Sequence, residues 1–132
     1  MFATLHTQDA AQTVDRIVDV FPPEQQQQVR VQLSVALQGV ITQQLLPTAD
    51  GAGRVAACEV MIPTPAVRNL IREGKTHQIY SAIQTGGNQG MQTMDAALAG
   101  LARESKITRQ LAEARSSSPE ELRRLMGTVR VA

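Results

Sequence analysis

Apolar residues at helical spacing dominate the first forty positions of the chain. After Asp9, the apolar residues Val14, Ile17, Val18 and Phe21 are spaced so that they would share one face of a helix. This spacing predicts a helix that is capped by Thr7 or Asp9 and ended by the Pro22-Pro23 pair. A second helix is predicted to begin at Pro23, with residues 25–28 on a solvated face. Its expected inward stripe is Val29, Leu33, Leu37 and Val40.

The middle of the chain changes from helical to strand-like patterning. Residues 39–46 fit either the end of the second helix or a short strand closed by Pro47. Residues 49–53 indicate a turn, and residues 54–62 are rich in the small and β-branched side chains that favour a strand. These segments together predict a β-hairpin. Residues 2–5 are also expected to form the end of a strand, which leads into the first helix.

Only helices are predicted beyond residue 62. We expect them at residues 65–73, 76–85 and 91–104, with glycines after the first two to end them. Two shorter helices are expected to open at Thr108 and Ser118. The predicted organisation is therefore a strand-and-helix part at residues 1–62 and a helical part at residues 63–132.

Composition and charge exclude several classes of partner. The chain has 132 residues, 42% of them apolar, and its 13 basic and 12 acidic side chains leave a net charge of +1. An even spread of charge argues against a nucleic-acid partner. No apolar stretch approaches the roughly 20 residues of a membrane span, and no signal-peptide pattern is present, so direct membrane insertion is not expected. The single cysteine, Cys58, fits a reducing cytosol and is expected to be buried as a small apolar side chain.

Two histidines are the first candidates for chemistry. His6 follows the strand predicted at residues 2–5, and the carboxyl ends of strands are the ligand side of open α/β sheets. Taken alone, however, this segment favours a hydrogen-bonded structural histidine. His77 is expected to cap or pack at a helix start, because no other metal-ligand side chain stands at suitable spacing around it. No metal site is predicted.

Longer strings of residues resemble a known family. Residues 2–7, Phe-Ala-Thr-Leu-His-Thr, and the helix that follows as far as residue 22 resemble the histidine box of secretion-superfamily ATPases. The likeness continues through residues 43–47, 53–57, 59–62, 64–75, 84–86 and 90–95. Residues 66–73 resemble the signature of the type IV pilus retraction branch, the PilT-like proteins, with Val67 where isoleucine is usual. Residues 48–52 form a short connection where pilus-assembly and type II secretion ATPases usually carry a four-cysteine zinc element.

The resemblance implies a fold, a cofactor and partners. The implied fold is a mostly helical α/β structure, the carboxy-terminal part of a RecA-like P-loop ATPase domain followed by a bundle of short helices. The full-length protein would be a homo-hexameric motor for pilus retraction and twitching motility. It would use ATP and magnesium and act with an inner-membrane pilus platform protein at the cytoplasmic face of the inner membrane. His6 would face the nucleotide phosphates and the neighbouring subunit in a catalytic and nucleotide-binding role, and Arg16 would lie near the same junction.

The role of Arg16 has an equal alternative. An arginine at such a junction could stabilise charge on a transferring phosphoryl group, as arginine fingers do. The alternative is an ordinary surface ion pair.

The segment that resembles the retraction signature can also be interpreted from its spacing. It consists of Ala66, Val67, Arg68, Asn69, Leu70, Ile71, Arg72 and Glu73. Val67, Leu70 and Ile71 form the expected inward stripe, whereas Arg68 and Arg72 stand one turn apart on another face. Like charges at this spacing cost helix stability unless negative charge lies opposite. A solvated face is the plain explanation, while the resemblance implies that this helix serves retraction rather than hydrolysis.

The glycine-rich phosphate loop of a P-loop ATPase is absent from this sequence. Residues 86–90 contain three glycines but no following Gly-Lys-Ser or Gly-Lys-Thr, so they are interpreted as a helix connection. We therefore expect this chain alone neither to bind ATP tightly nor to hydrolyse it, and no cofactor is expected for it. The chain is also expected to begin inside a strand, so that this strand and the first helix lack partners and the chain self-associates or exposes apolar surface.

Two other functions fit the same residues. One is a non-catalytic interaction module that docks on the pilus machinery. The other is a fragment of a pilus-assembly or type II secretion ATPase that lacks its zinc element, which the signature at residues 66–73 disfavours.

Overall fold

The computed structural model describes residues 3–127, which form seven α-helices and one antiparallel hairpin. The helices are α1 (Ala10–Asp19), α2 (Pro23–Ala36), α3 (Pro65–Arg72), α4 (Ile79–Gln84), α5 (Met94–Arg103), α6 (Arg109–Arg115) and α7 (Pro119–Gly127). The strands β1 (Val40–Pro47) and β2 (Arg54–Met61) lie between α2 and α3. Short 3₁₀ turns at Thr76–Gln78 and Gly87–Gln89 precede α4 and α5.

Side-chain caps start four of the helices. In each, the residue before the helix is extended and its side-chain oxygen accepts a hydrogen bond from a first-turn N–H; these residues are Asp9, Thr64, Thr93 and Thr108. Such caps satisfy one of the amide groups that have no partner inside the helix. Behind α3, Gly74 has a φ of 75°, a conformation that glycine adopts without the penalty a side chain would bring.

The hairpin presents a mixed inner face. Its register pairs Val40 with Met61 at one end and Leu46 with Val55 near the other. Between them, Thr42 lies opposite Glu59, and both of these polar side chains are buried. Alternation along each strand therefore turns four pairs towards the helices: two apolar pairs, the polar pair of Thr42 and Glu59, and the mixed pair of Gln44 and Ala57.

Two hydrophobic clusters pack against opposite ends of the hairpin. The first cluster joins α1, α3 and α4 to the open end, through Ala10, Val14, Val40, Met61, Val67, Ile71, Ile79, Ile83 and Met91. The second cluster joins α5, α6 and α7 to the turn end, through Leu46, Ala57, Met94, Leu98, Ala99, Ile107, Ala112, Leu122 and Met126. Met91 and Met94 are thus core residues, as their spacing predicted.

Several local predictions need correction. Residues 3–5 are not a strand, and Phe2 lies outside the described residues. A strand is stable only in a hydrogen-bonded ladder, and both described strands pair with each other instead. The ambiguous residues 39–46 belong to β1 rather than to α2, and the helix predicted from residue 91 begins at Met94.

Burial also differs from the prediction at three places. Helix α1 does have partners, because Val14 and Val18 are buried. Helix α2 is more exposed than expected, since Ser34 is its one buried residue and Leu33 is only half-buried. Cys58 is half-buried as well, because the strand alternation turns its neighbours Ala57 and Glu59 inward and Cys58 outward.

Candidate functional site

The histidine segment lies on the surface immediately before α1. Residues 3–7 have no regular secondary structure, and His6 is exposed. The segment is anchored where it meets the helix, because the Thr7 and Thr13 hydroxyl oxygens lie 2.6 Å apart. Asp9 then accepts from the Gln12 N–H at 2.7 Å, which fixes the direction in which α1 leaves the segment. The imidazole is therefore open to any partner that approaches this face.

Arg16 is the second residue that was expected near the nucleotide. It lies in the last turn of α1 and is exposed. Within residues 3–127 it forms no ion pair. The surface ion pair that was its alternative interpretation is therefore not found in this part of the chain, and the guanidinium is open to an anion.

Helix α3 carries the signature residues and buries the predicted stripe. Val67 and Ile71 are fully buried in the first cluster, and Leu70 packs at its edge. Arg68 is not simply solvated: its Nη1 donates to the carbonyl oxygens of Ser34 at 2.5 Å and Val35 at 3.1 Å. These carbonyls belong to the last turn of α2, where the helix dipole is negative. A helix end thus supplies the negative partner that the sequence pattern requires.

The other polar signature residues stay on the outer side of α3. Arg72 donates to the side chain of Asn69 on its own helix, and both are exposed. The Glu73 carboxylate forms an exposed ion pair with Lys75 at 3.3 Å. Gln27 of α2 reaches across to the Arg72 carbonyl oxygen at 3.2 Å. Arg68 therefore joins two helices, whereas the Arg72 guanidinium remains available at the surface.

Sequence reasoning missed a buried carboxylate between the two clusters. Glu59 is only 2% exposed, and it accepts from the Ala10 N–H at 2.8 Å and from the Met94 N–H at 3.1 Å. Burial raises the pKa of Glu59, although the two amide hydrogen bonds oppose this shift and the nearby Asp9 and Asp95 charges add to it. The signal was a single glutamate inside a strand that is otherwise apolar after Arg54.

Asp95 is a second buried carboxylate, with four hydrogen bonds. It accepts from the Tyr80 hydroxyl at 2.8 Å and from the Ser116 hydroxyl at 2.6 Å. It also accepts from the backbone N–H groups of Ser117 and Ser118, each at 3.1 Å. Burial, together with the hydrogen bond to Asp95, raises the pKa of Tyr80 far above its usual value, so the phenol remains a proton donor.

A cavity of about 270 Å³ adjoins the Glu59 carboxylate. Its lining includes Asp9, Glu59, Tyr80 and the exposed His77. His77 thus stands in a 3₁₀ turn at the cavity mouth, and its side chain forms no ion pair within residues 3–127. Across the same described range, no three His, Cys, Asp or Glu side chains group as metal ligands would. None of the described helices has the length and apolar character needed to cross a bilayer.

The fold has a close counterpart among solved structures. A crystal structure described as the pilus retraction motor PilT with bound ADP superposes with a TM-score of 0.78, at 49% sequence identity, over 91% of this chain and 33% of that one. The chain therefore has the fold of part of a motor ATPase, and the predicted class, a mainly helical carboxy-terminal portion of such a domain, is confirmed.

Curated relatives then identify the family. The chain is 56% identical over 120 residues to the type IV pilus retraction ATPase PilT of Pseudomonas aeruginosa, a match that covers 91% of this chain and 35% of the relative. It is 53% identical over 122 residues to a twitching motility protein of Neisseria gonorrhoeae, covering 92% of this chain and 33% of the relative. No protein-family model matches the chain. The chain belongs to the PilT-like family of pilus retraction ATPases and spans about one third of the length of these relatives.

Proposed function

We propose that this chain is a segment of an ATP-driven motor that retracts type IV pili and so powers twitching motility. The observation that carries the proposal is the 56% identity to a pilus retraction ATPase over 120 of its residues. In this proposal the motor is a homo-hexamer that acts at the cytoplasmic face of the inner membrane, on a pilus platform protein. The segment contributes the histidine box and the signature helix to that assembly.

His6 and Arg16 are the proposed contacts to nucleotide and to the neighbouring subunit. Both are exposed, and they stand before and along the same helix, α1. An imidazole and a guanidinium can both donate hydrogen bonds to phosphate oxygens. ATP and magnesium are the proposed cofactors of the full-length motor, and a solved relative is described with bound ADP.

The segment that resembles the retraction signature has a proposed output role. Helix α3 keeps Arg72, Asn69 and Glu73 at the surface while its apolar side is buried. An exposed polar row on a well-anchored helix is suited to contact another protein, because its position is fixed before binding. We assign this face to the step that couples hydrolysis to movement.

Hydrolysis by this chain alone is not part of the proposal. The sequence holds no glycine-rich loop ending in Gly-Lys-Ser or Gly-Lys-Thr, which P-loop enzymes use to cradle phosphates. We expect no magnesium-dependent phosphate release from ATP by the purified chain. Release that persists in a His6→Ala variant would contradict this part of the proposal.

A chimera tests the retraction function directly. The 120 matching residues of the Pseudomonas aeruginosa PilT are replaced by those of this chain, and the chimera is expressed in a strain that lacks its own retraction ATPase. Twitching zones and ATP hydrolysis by the purified chimera are both measured. We expect both activities to be restored, and His6→Ala in the chimera to abolish hydrolysis.

Two variants separate hydrolysis from output in the chimera. Arg72→Ala is expected to keep ATP hydrolysis and lose twitching, since Arg72 lies on the exposed side of α3. The matched control is Arg109→Ala, another exposed arginine at the start of a different helix, which should keep both activities. A chimera that hydrolyses ATP but never restores twitching would refute the retraction function and favour the assembly or secretion branch.

A further inference from the structure

One buried carboxylate joins two helix starts that are distant in sequence. Glu59 Oε1 accepts from the Ala10 N–H at 2.8 Å, and Oε2 accepts from the Met94 N–H at 3.1 Å. Ala10 is the first residue of α1 and Met94 is the first residue of α5. Each carboxylate oxygen thus binds the first amide of one helix. A displacement of either helix start would therefore alter a hydrogen bond to the same side chain.

Asp95 extends this linkage to the start of α7. It directly follows Met94, and its carboxylate holds the Ser116–Ser118 loop through one hydroxyl and two backbone hydrogen bonds. The same carboxylate accepts from Tyr80 of α4. Glu59 and Asp95 therefore connect the starts of α1, α5 and α7, through buried hydrogen bonds at Glu59 and partly buried ones at Asp95.

Burying Glu59 has an energetic cost that packing alone does not explain. A carboxylate in an apolar interior is unfavourable, and the raised pKa of Glu59 shows that burial outweighs its two hydrogen bonds. The hydrogen bonds from the Ala10 and Met94 amides, which have no partner inside their own helices, and the positive dipole ends of α1 and α5 offset part of this cost. An apolar residue would fill the same space but would leave both amides unpaired, so the carboxylate specifies how the two helices meet.

We propose that Glu59 is a positioning residue that holds the start of α1, and with it the histidine segment, in a fixed arrangement with the start of α5. Residues 3–7 run directly into α1 through the Asp9 cap, so the direction of α1 sets where His6 projects. Helices α5 to α7 form the second cluster. The linkage therefore ties the surface that carries His6 to the helical part of the chain. The link to catalysis rests on the proposed function, whereas the fixed arrangement does not.

Amide hydrogen exchange measured by NMR on the purified chain tests the arrangement. Glu59→Gln keeps the size of the side chain but leaves one acceptor oxygen and adds an NH₂ group that cannot accept. Of the Ala10 and Met94 amides, the one that faces the NH₂ group loses its acceptor and is expected to exchange roughly tenfold faster or more. The exchange rate of the other amide should rise by a smaller factor, because a neutral acceptor is weaker than a charged one. A merely space-filling role would leave both rates unchanged.

Two variants serve as controls for the exchange experiment. Glu113→Gln removes an equal charge from an exposed ion pair with Arg123, so both amides should keep their protection. Asp95→Asn should raise the exchange rates of the Ser117 and Ser118 amides, while the exchange rate of the Ala10 amide should not change. Unchanged exchange at Ala10 and Met94 in Glu59→Gln, or an even loss of protection along the whole chain, would overturn the proposal.

The same substitution in the chimera tests the link to His6. Glu59 lies away from solvent and does not contact nucleotide in this proposal, so Glu59→Gln should lower kcat for ATP by about tenfold while KM changes little, as expected when a reactive group is misplaced. Faster exchange together with an unaltered kcat would overturn the link to His6. A chimera that is inactive before any substitution would instead refute the proposed function, and the exchange data would still decide the arrangement.

Discussion

The two parts of the molecule differ in how completely they cover their apolar residues. Within residues 3–127, every exposed large apolar side chain falls between positions 5 and 62: Leu5, Val20, Phe21, Val31, Val35, Ile41, Leu45 and Ile62. The helices beyond residue 62 have none within that range. Among the described residues, Val31 and Val35 of α2 and Ile41 and Leu45 of the hairpin remain exposed, whereas α5, α6 and α7 pack against one another.

The uncovered apolar side chains therefore lie in one part of the molecule, before residue 63. Val35 and Ile41 are 70% and 71% exposed, although both are side chains that normally favour burial. Exposed apolar side chains favour association where they lie next to one another on the surface. The boundary at residue 62 stays a prediction, because Glu59 and the Val60–Gln92 bridge both connect the two parts.

A cavity in the second cluster should have the largest effect on stability. Leu98 is fully buried there, so Leu98→Ala is expected to reduce the free energy of unfolding by about 2–5 kcal/mol. Urea unfolding followed by circular dichroism measures the change. Val35→Ala, at a 70% exposed site, is the matched control and should change stability by less than about 0.5 kcal/mol. Equal losses of unfolding free energy in Leu98→Ala and Val35→Ala would contradict the difference in burial between the two parts.

The contact between α2 and α3 should give the next largest effect. Arg68→Ala removes both hydrogen bonds to the end of α2 and is expected to cost about 1–2 kcal/mol of unfolding free energy. Thermal and urea unfolding measure this loss. Arg72→Ala serves as the control, because Arg72 bonds to its own helix and should change stability far less. A larger loss for Arg72 than for Arg68 would show that α2 and α3 are joined in another way.

The pH dependence of stability should reveal the buried carboxylate between the parts. Because burial raises the pKa of Glu59, the folded state favours its protonated form. The stability that protonation adds is fully present below the usual pKa near 4.5 and is lost as the pH rises through the folded pKa. The wild-type chain should therefore gain stability relative to Glu59→Gln as the pH is lowered from 7 towards 4.5. A difference that is constant over this window would contradict burial as the cause.

Polar substitution of the exposed surface should have the smallest effect on stability. The double variant Val35→Thr and Ile41→Thr is expected to change the unfolding free energy by less than about 0.5 kcal/mol. Binding of a hydrophobic dye and self-association measured by light scattering should nevertheless decrease. If the wild-type chain is already monomeric and binds little dye, these exposed side chains do not cause self-association.

Local signals in the sequence predicted most of the elements. The caps at Asp9 and Thr108, the glycine behind α3 and the turn at residues 49–53 each act within a few positions, so their structures could be inferred directly. The likeness to retraction ATPases was also visible in short strings of residues. It is confirmed by relatives at 53–56% identity.

Long-range pairing set the features that could not be predicted. Glu59 meets Ala10 and Met94 across 49 and 35 positions, which no local periodicity encodes. The contact from Arg68 to the end of α2 likewise depends on how two helices pack. The strand expected at residues 2–5 was wrong for residues 3–5, because strand-like composition forms no ladder without a neighbouring strand.

The hairpin imposes a rule on which insertions this chain can accept. Its inner face touches the first cluster at Val40 and the second at Leu46, six residues along β1 and therefore roughly 20 Å apart. Adding one residue within β1 between them would turn one of these side chains out to water and remove an anchor from that end. Adding residues at the exposed turn around Gly51 would leave both anchors in place. Length variation should therefore be tolerated at the turn and rejected within the strands.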